Sequence, residues 1–275
     1  MDDYSERNRA AWNEAAGVHR KNRKINYAEE FKDKQFSVLD ATLSSLLKKI
    51  PLERGVIAQL CCNDGRELLS IVNSIGVSGI GFDISDEFIA EAKSTSKSAG
   101  LDCQFIRTDI NHLSHKYDNQ FDLVLFTAGA LTWFHDLDKL FHIVKRIMKP
   151  DGYLVIYEIH PFTNLLAWKD EADYESSNPY KIAYQYFRDT PWVDNTGADY
   201  IGKTSYQSKT FISFAHKVSD IVTAIGSNGI FIREFAEYPH DVSTHLENLE
   251  KDQILPLSYT ILGRKSEGDG KKEKK

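Results

Sequence analysis

Between Val56 and Ile159 the chain repeats one arrangement five times: a short apolar run that leads into a turn and then an amphipathic stretch. The runs are "VIAQL" from residue 56, "VSGIGFDIS" from 77, "CQFIRTDI" from 103, "FDLVLFTAG" from 121 and the second half of "KPDGYLVIYEIHP" from 149. The stretches between them include "GRELLSIVNSIG", "DEFIAEAKSTSKSAG" and "DLDKLFHIVKRIM". Leu68, Leu69, Ile71 and Val72 share one side of the first of these, which glycine closes at 76. Gly100 ends the second, where a left-handed C-cap is expected. Strands alternating with helices at this spacing require βαβ units and a parallel sheet. Right-handed crossovers then place helices on both faces. Ligands of such sheets bind beyond the C-terminal strand ends, near the switch in strand order. That rule selects the loops after Leu60, Phe82, Thr108, Phe126 and Tyr157 before any chemistry is considered.

The flanks differ. Residues 5–50 read as helical, with an apolar stripe at Phe36, Leu39, Leu43, Leu46, Leu47 and Ile50, stopped by Pro51. Residues 161–210 are rich in Tyr, Phe, Trp, Asn and Asp, and contain two β-like runs, "KIAYQYF" and "TSYQSKTFISFAH". We read them as a cap inserted over the strand ends. "KVSDIVTAIGSNG" is a further helix, and "IFIREFAEYP" and "LPLSYTILGRK" are strands expected to pair antiparallel at one sheet edge. The resulting division is an N-terminal helical lid over 1–50, a main domain over 51–263 with its cap at 161–210, and a disordered tail over 264–275.

Composition narrows the function classes. A net charge of −6 supplies no basic stripe for phosphates, so nucleic acid is not expected as a partner. No apolar run approaches a membrane span and "MDDYSERNRAAW" is not a signal peptide, so no membrane partner and a cytoplasmic location are expected. Cys61, Cys62 and Cys103 form neither a disulfide framework nor a metal spacing, so no metal site is expected. The chain is expected to be a monomer or homodimer.

The loop after the first strand carries the most information. It reads Gln59, Leu60, Cys61, Cys62, Asn63, Asp64, Gly65, with a single glycine. Asn63 can take a left-handed conformation in place of glycine. Cys61 fits there if its φ is negative. Gly65 opens a helix whose free N–H groups favour an anionic group. Asp83 ends the second strand, where a carboxylate can accept from both hydroxyls of a ribose. The competing role is a helix cap, which Ser85 or Asp86 can fill instead. Asp109 ends the third strand, as a ligand acid or as an ordinary turn acid.

Taken in order, these motifs resemble the class I S-adenosylmethionine (SAM)-dependent methyltransferases over roughly residues 56–263. The fold implied is a Rossmann-like seven-stranded, mostly parallel sheet with an antiparallel last strand. In that family the first loop reads acid, apolar residue, G-C-G-x-G. Here Gln59 stands for the acid, Cys61 and Asn63 for two glycines, and Cys62 and Gly65 match. "QLCCNDGRE" resembles a bacterial subset with a glycine-poor loop. The resemblance implies SAM as cofactor, with S-adenosylhomocysteine as product. Trp12 is then similar to a lid residue. Gln59, Cys61, Cys62, Asn63, Gly65, Asp83, Ile84, Ser85, Asp109, Ile110, Phe126 and Thr127 fall at cofactor positions. Asp109 would meet the adenine amino group, and the N–H of Ile110 a ring nitrogen.

Methyl transfer needs alignment and exclusion of water, and a base only if the acceptor must lose a proton. "TAGA" at 127–130 lacks the Asn/Asp-Pro-Pro-aromatic motif of base or glutamine methylation, so a small-molecule acceptor is expected. Glu158 and His160 are the acid–base candidates, with structural hydrogen bonding or capping as their alternative role. Trp133, His135, Tyr184 and Tyr186 are candidates for the acceptor pocket, with simple packing as theirs. Two other classes stay open: a non-catalytic SAM-binding scaffold and an NAD(P)-dependent oxidoreductase. The absence of G-x-G-x-x-G argues against the second.

Overall fold

A computed structural model describes residues 3–52, 55–169 and 171–266. The alternating segments form the elements that their periodicity predicts. Strands β1 (Val56–Leu60), β2 (Ser78–Asp83), β3 (Cys103–Arg107), β4 (Phe121–Phe126) and β5 (Met148–Ile159) are mutually parallel in the order β3-β2-β1-β4-β5. The crossovers include helices α4 (Arg66–Ile75), α5 (Asp86–Ala99) and α6 (Leu137–Ile147). Helix α7 (Val218–Ser227) leads to β8 (Ile230–Tyr238), and β9 (Ser258–Lys265) then inserts antiparallel between β5 and β8. A seven-stranded sheet results, with one antiparallel strand.

Side chains alternate between the sheet's two faces, and each face has its own core. Ala58, Leu60, Phe82, Val124, Phe126, Leu154, Ile156 and Ile261 pack with residues of α6 and α7. On the other face Ile57, Leu123, Leu125, Val155 and Leu262 pack with residues of α3 (Ala41–Leu47), α4 and α5. Chain order reverses between β1 and β4, which places the switch point above that pair.

The flanks depart from the sequence reading. Residues 5–50 break into α1 (Asp3–Asn22), the single turn α2 (Tyr27–Glu30) and α3. The expected helix over 36–50 shrinks to Ala41–Leu47, because Asp40 accepts from Leu43 N–H and starts the helix there. Leu39 and Phe36 still pack on the core, but from an extended approach. "KIAYQYF" forms no strand; Ile182 makes one isolated bridge to Leu166. In the second run only β7 (Phe211–Ser213) is a strand, paired with β6 (Trp192–Asp194). The last strand runs to Lys265, past the boundary set at 263, and residues 267–275 of the expected tail lie outside the described residues. No helix among the described residues is long and apolar enough to cross a membrane.

Candidate functional site

The loop from β1 to α4 turns on left-handed residues. Cys61 has φ 56°, Asn63 φ 51° and Gly65 φ 75°. Asn63 therefore takes the glycine-like conformation that its side chain suggests. The negative φ expected of Cys61 is wrong: the turn holds its thiol-bearing backbone in the left-handed region. Gly65 is required on two counts, since a Cβ would also lie 2.3 Å from the Phe105 ring.

Gln59 is engaged within the protein. It is fully buried, its amide nitrogen donates to Thr127 Oγ1 (3.0 Å), and its amide oxygen accepts from Leu68 N–H (3.2 Å). It braces β1 to the end of β4 across the switch point and satisfies a donor of the first turn of α4. Asp64 Oδ1 takes the Arg66 N–H (3.3 Å). Side chains of the loop itself therefore occupy donors that were expected to receive an anion.

Asp83 ties the loop to β2. Its carboxylate accepts from Asn63 N–H and Ser85 N–H, both at 2.8 Å. Burial pushes its pKa up to about 6, against the pull of these donors. Ser85 fills the cap role, accepting from Phe88 N–H, and its hydroxyl donates to Asn13 of α1. Ser85 is thus spent, while Ile84 stays half-buried at the strand end. Asp109 is buried and caps the turn at Ile110–His112, accepting from Asn111 N–H (2.9 Å) with His112 Nδ1 at 3.1 Å. It is not a solvated turn acid. The side chains of Ile110, Phe126 and Cys62 are in the core, so only their backbone can serve a ligand.

At the end of β4, Thr127 is half-buried, Ala128 exposed, and Gly129 (φ 80°) has open space where a Cβ would stand. These residues border the switch point between β1 and β4. The half-buried Cys61 faces a negative field there: burial pushes its thiol pKa well up, with Asp83, Glu158 and Asp109 adding to the effect.

Both acid–base candidates have structural partners. Glu158 is buried and accepts from four backbone N–H groups, those of Gly129, Ala130, Leu131 and Ile159. It holds the β4 loop, and burial raises its pKa against those donors. His160 is fully buried; Nδ1 accepts from Phe162 N–H (3.1 Å), so Nε2 carries the proton and donates to Glu237 (2.8 Å). Burial lowers its pKa and keeps it neutral.

Helix α1 covers the strand ends. Trp12 lies edge-on to Trp133 (5.3 Å), Phe211 (5.1 Å) and Phe88 (6.1 Å), which joins lid, β4 loop, cap and α5 in one aromatic cluster. Trp133 therefore sits with Trp12. His135 is exposed beside Phe214, on an open hollow of about 280 Å³ with Asp136 and His216. Tyr184 meets Trp192 and Glu171 within the cap. Tyr186 accepts from Val218 N–H and lies 5.5 Å from Phe162.

Four residues not singled out in the sequence hold this arrangement. Asn8 is buried and makes a two-way amide pair with the Ile212 backbone (2.8 and 2.7 Å). Asn13 bonds Ser85 and Asp86. Arg23 pairs with Asp64 (2.8 Å) and Glu91, with its guanidinium nearly buried. Tyr200 of the cap lies against Arg66 and His19. Only the asparagines left a signal: amides interrupting a stretch of helix formers.

Comparisons with known proteins agree with this geometry. Residues 57–152 match a family model described as "Methyltransferase domain". A demethylmenaquinone methyltransferase from Lactobacillus johnsonii is 30% identical over 122 residues, 42% of this chain and 49% of the relative. The chain thus spans about half the length of the curated relative it matches. Among solved structures, an S-adenosylmethionine-dependent methyltransferase from Mesorhizobium loti shares 19% identity at TM-score 0.59, over 82% of this chain and 98% of its own. A geranyl diphosphate C-methyltransferase from Streptomyces coelicolor A3(2), in complex with Mg2+, geranyl diphosphate and S-adenosyl-L-homocysteine, shares 10% at TM-score 0.61, over 96% and 99%. The sheet order and these likenesses lead to one conclusion: the chain has the fold of the S-adenosylmethionine-dependent methyltransferases, and its residues 57–152 match the methyltransferase-domain model.

Proposed function

We propose that the chain transfers the SAM methyl group to a small-molecule acceptor by in-line displacement. The observation that carries this reading is the switch point between β1 and β4, with the buried acids Asp83, Asp109 and Glu158 at the strand ends beside it. The field of these acids stabilises a cation, and the sulfonium of SAM is one. The residues present fit the group in other respects. Asp83 keeps lone pairs for ribose hydroxyls beyond its two backbone donors, and the exposed Ala128 and open Gly129 leave room beside the methyl position. When bound, SAM supplies an electrophilic methyl on a good leaving group.

The chain's own residues bind, orient and exclude water. Asp83 orients the nucleoside, while Trp12, Trp133 and Phe211 close an apolar wall over the strand ends. Neither Glu158 nor His160 has a free basic site directed at an acceptor. We therefore infer an acceptor that arrives as a nucleophile, such as a thiolate, a phenolate or a stabilised carbanion, and a rate set by alignment. The L. johnsonii relative is named for demethylmenaquinone, an aromatic-ring acceptor class that this reading includes. A small soluble acceptor agrees with a cytoplasmic site of action.

The experiment is direct. SAM, S-adenosylhomocysteine and NADH are titrated calorimetrically, and S-adenosylhomocysteine release is then followed with acceptors of these three classes. Binding of the adenosyl compounds with turnover of one acceptor supports the reading. Adenosyl binding without any turnover leaves the scaffold role in its place, and binding of NADH alone restores the oxidoreductase.

A further inference from the structure

We propose that the hydroxyl of Tyr259, on β9, holds an oxygen of the acceptor, and that the acceptor is accordingly a ring carbanion whose charge rests on that oxygen. This inference rests on the methyl-transfer reading above and chooses among its three acceptor classes.

The insertion of β9 beside β5 brings Tyr259 to the end of the sheet where the acceptor must lie. Tyr259 stands opposite Glu158 of β5 on one flank and Glu237 of β8 on the other. Residues directly opposite share a face of the sheet, so Tyr259 and Glu158 lie side by side on one face. Glu158 in turn holds the backbone of residues 129–131, the loop that borders the switch point. The Tyr259 ring is fixed by its neighbours. It lies edge-on to His160 at 5.8 Å, 5.7 Å from the Phe235 ring, and in one core with Ile221 and Ile225 of α7.

Its hydroxyl is the uncommitted polar group of this seam. The residue is only 2% exposed, yet the phenol oxygen makes no hydrogen bond among the described residues. The polar groups around it are taken. Glu158 accepts from four backbone N–H groups, and His160 is held by Phe162 N–H and Glu237. Ser258 Oγ donates to the His240 carbonyl (2.7 Å), and Thr260 Oγ1 pairs with the Tyr238 hydroxyl (3.2 Å). The hydroxyls of Tyr117 and Tyr206 also lack partners but are sealed from solvent; that of Tyr259 is not sealed. The small remaining exposure of the residue therefore includes its donor. An unpaired buried donor costs stability, and one left open at the edge of a site is a place for the acceptor atom of a ligand.

The chemistry of the site selects that atom. Burial beside Glu158 pushes the phenol pKa well up, so Tyr259 stays protonated and donates. Asp83, Asp109 and Glu158 disfavour an unaccompanied anion at these strand ends. A phenolate-type ring entering there needs a donor on its oxygen, and Tyr259 supplies one. A thiolate gains little, because sulfur is a weak acceptor. The hydrogen bond also makes the oxygen a poorer nucleophile and leaves the adjacent ring carbon to attack. That carbon forms its bond to the methyl group as the S–CH3 bond breaks, and the electron pair stays on sulfur in S-adenosylhomocysteine. The ring carbon then gives its hydrogen to water as a proton, and the ring returns to a phenolate.

The test follows S-adenosylhomocysteine release by wild type and Tyr259→Phe with two probes, naphthoresorcinol and the oxygen-free naphthalenethiol. In the variant kcat/KM is expected to fall about tenfold or more with naphthoresorcinol, the effect of losing one hydrogen bond to a charged oxygen, and to be unchanged with the thiol. The methylated naphthoresorcinol is expected to carry the new methyl on carbon. S-adenosylhomocysteine affinity by calorimetry and the melting temperature should match wild type, because the variant keeps the packed ring. Undiminished kcat/KM with naphthoresorcinol overturns the proposal, and so does an equal loss with both probes, which a purely structural role would produce. A wild-type chain that binds S-adenosylhomocysteine but methylates the thiol alone, the oxygen of naphthoresorcinol, or neither probe also overturns it. A wild-type chain that binds no S-adenosylhomocysteine overturns the cofactor reading instead.

Discussion

At the residue scale, the β1–α4 loop shows side chains doing work that glycine and an acid would otherwise do. Cys61 holds φ 56° with a Cβ, a conformation that costs an L-residue roughly 1–2 kcal/mol. Cys61→Gly is expected to raise stability by about 1 kcal/mol in urea denaturation. Glu158 tests the opposite case. Glu158→Ala leaves buried N–H groups without acceptors and should cost about 3 kcal/mol or more in the same measurement. A large loss of turnover in Glu158→Gln with unchanged stability would restore its catalytic role. Asp83 predicts a pH dependence. With its pKa raised from 3.8 to about 6, the folded chain binds a proton that the unfolded chain does not in that window. The stability from this group is full below pH 3.8 and is lost as pH rises through 6, about 3 kcal/mol in all. Ligand binding runs the other way: only the ionised carboxylate accepts from two ribose hydroxyls, so S-adenosylhomocysteine affinity should fall below about pH 6 and be level above it. Calorimetry across pH 5–8 checks this. The left-handed backbone of Asn63 and the place of Asp83 at the end of β2 were legible because both are set locally. The structural partners of Glu158 and His160 were not legible, because the 129–131 loop and Glu237 are far away in sequence.

At the scale of elements, α1 and the cap act as one lid. Asn8 pairs with Ile212, Glu14 accepts from Lys209 N–H, and Asn22 bonds Asp199. Asn8→Ala removes two hydrogen bonds from a buried seam, about 2 kcal/mol. Faster amide exchange in α1 and β7, with α4 and β1 unchanged, is the expected outcome by hydrogen-exchange mass spectrometry. Unaltered exchange in α1 would show that the aromatic cluster around Trp12 alone holds the lid. The central strands and helices were legible because burial imposes periods of 2 and 3.6 on their residues. The cap was not: β6 and β7 have three residues each, too few for any period, and β7, which pairs with β6, is held by the Asn8 bonds from α1. Helix α3 was overextended because Phe36 and Leu39 continue its apolar spacing from a non-helical approach.

At the scale of the whole molecule, the sheet order β3-β2-β1-β4-β5-β9-β8 places the switch point between β1 and β4, and every group argued to bind the cofactor lies above it. The antiparallel pairing of β8 with β9 was legible from their proximity in sequence; the insertion of β9 beside β5 was not, since nothing local distinguishes an edge strand from a neighbouring one. That insertion has a consequence for synthesis. β9 is translated after β8, yet it lies inward of β8 and forms the seam to β5. A growing chain that has emerged through Tyr238 therefore holds β8 without the strand it pairs with, and shows the flank of β5 as an open edge. Open edges of this kind recruit other chains. The interval between emergence of Tyr238 and emergence of Ser258 is then the period of greatest risk during synthesis, and a pause in that interval should lower soluble yield more than a pause at any earlier stage of the sheet.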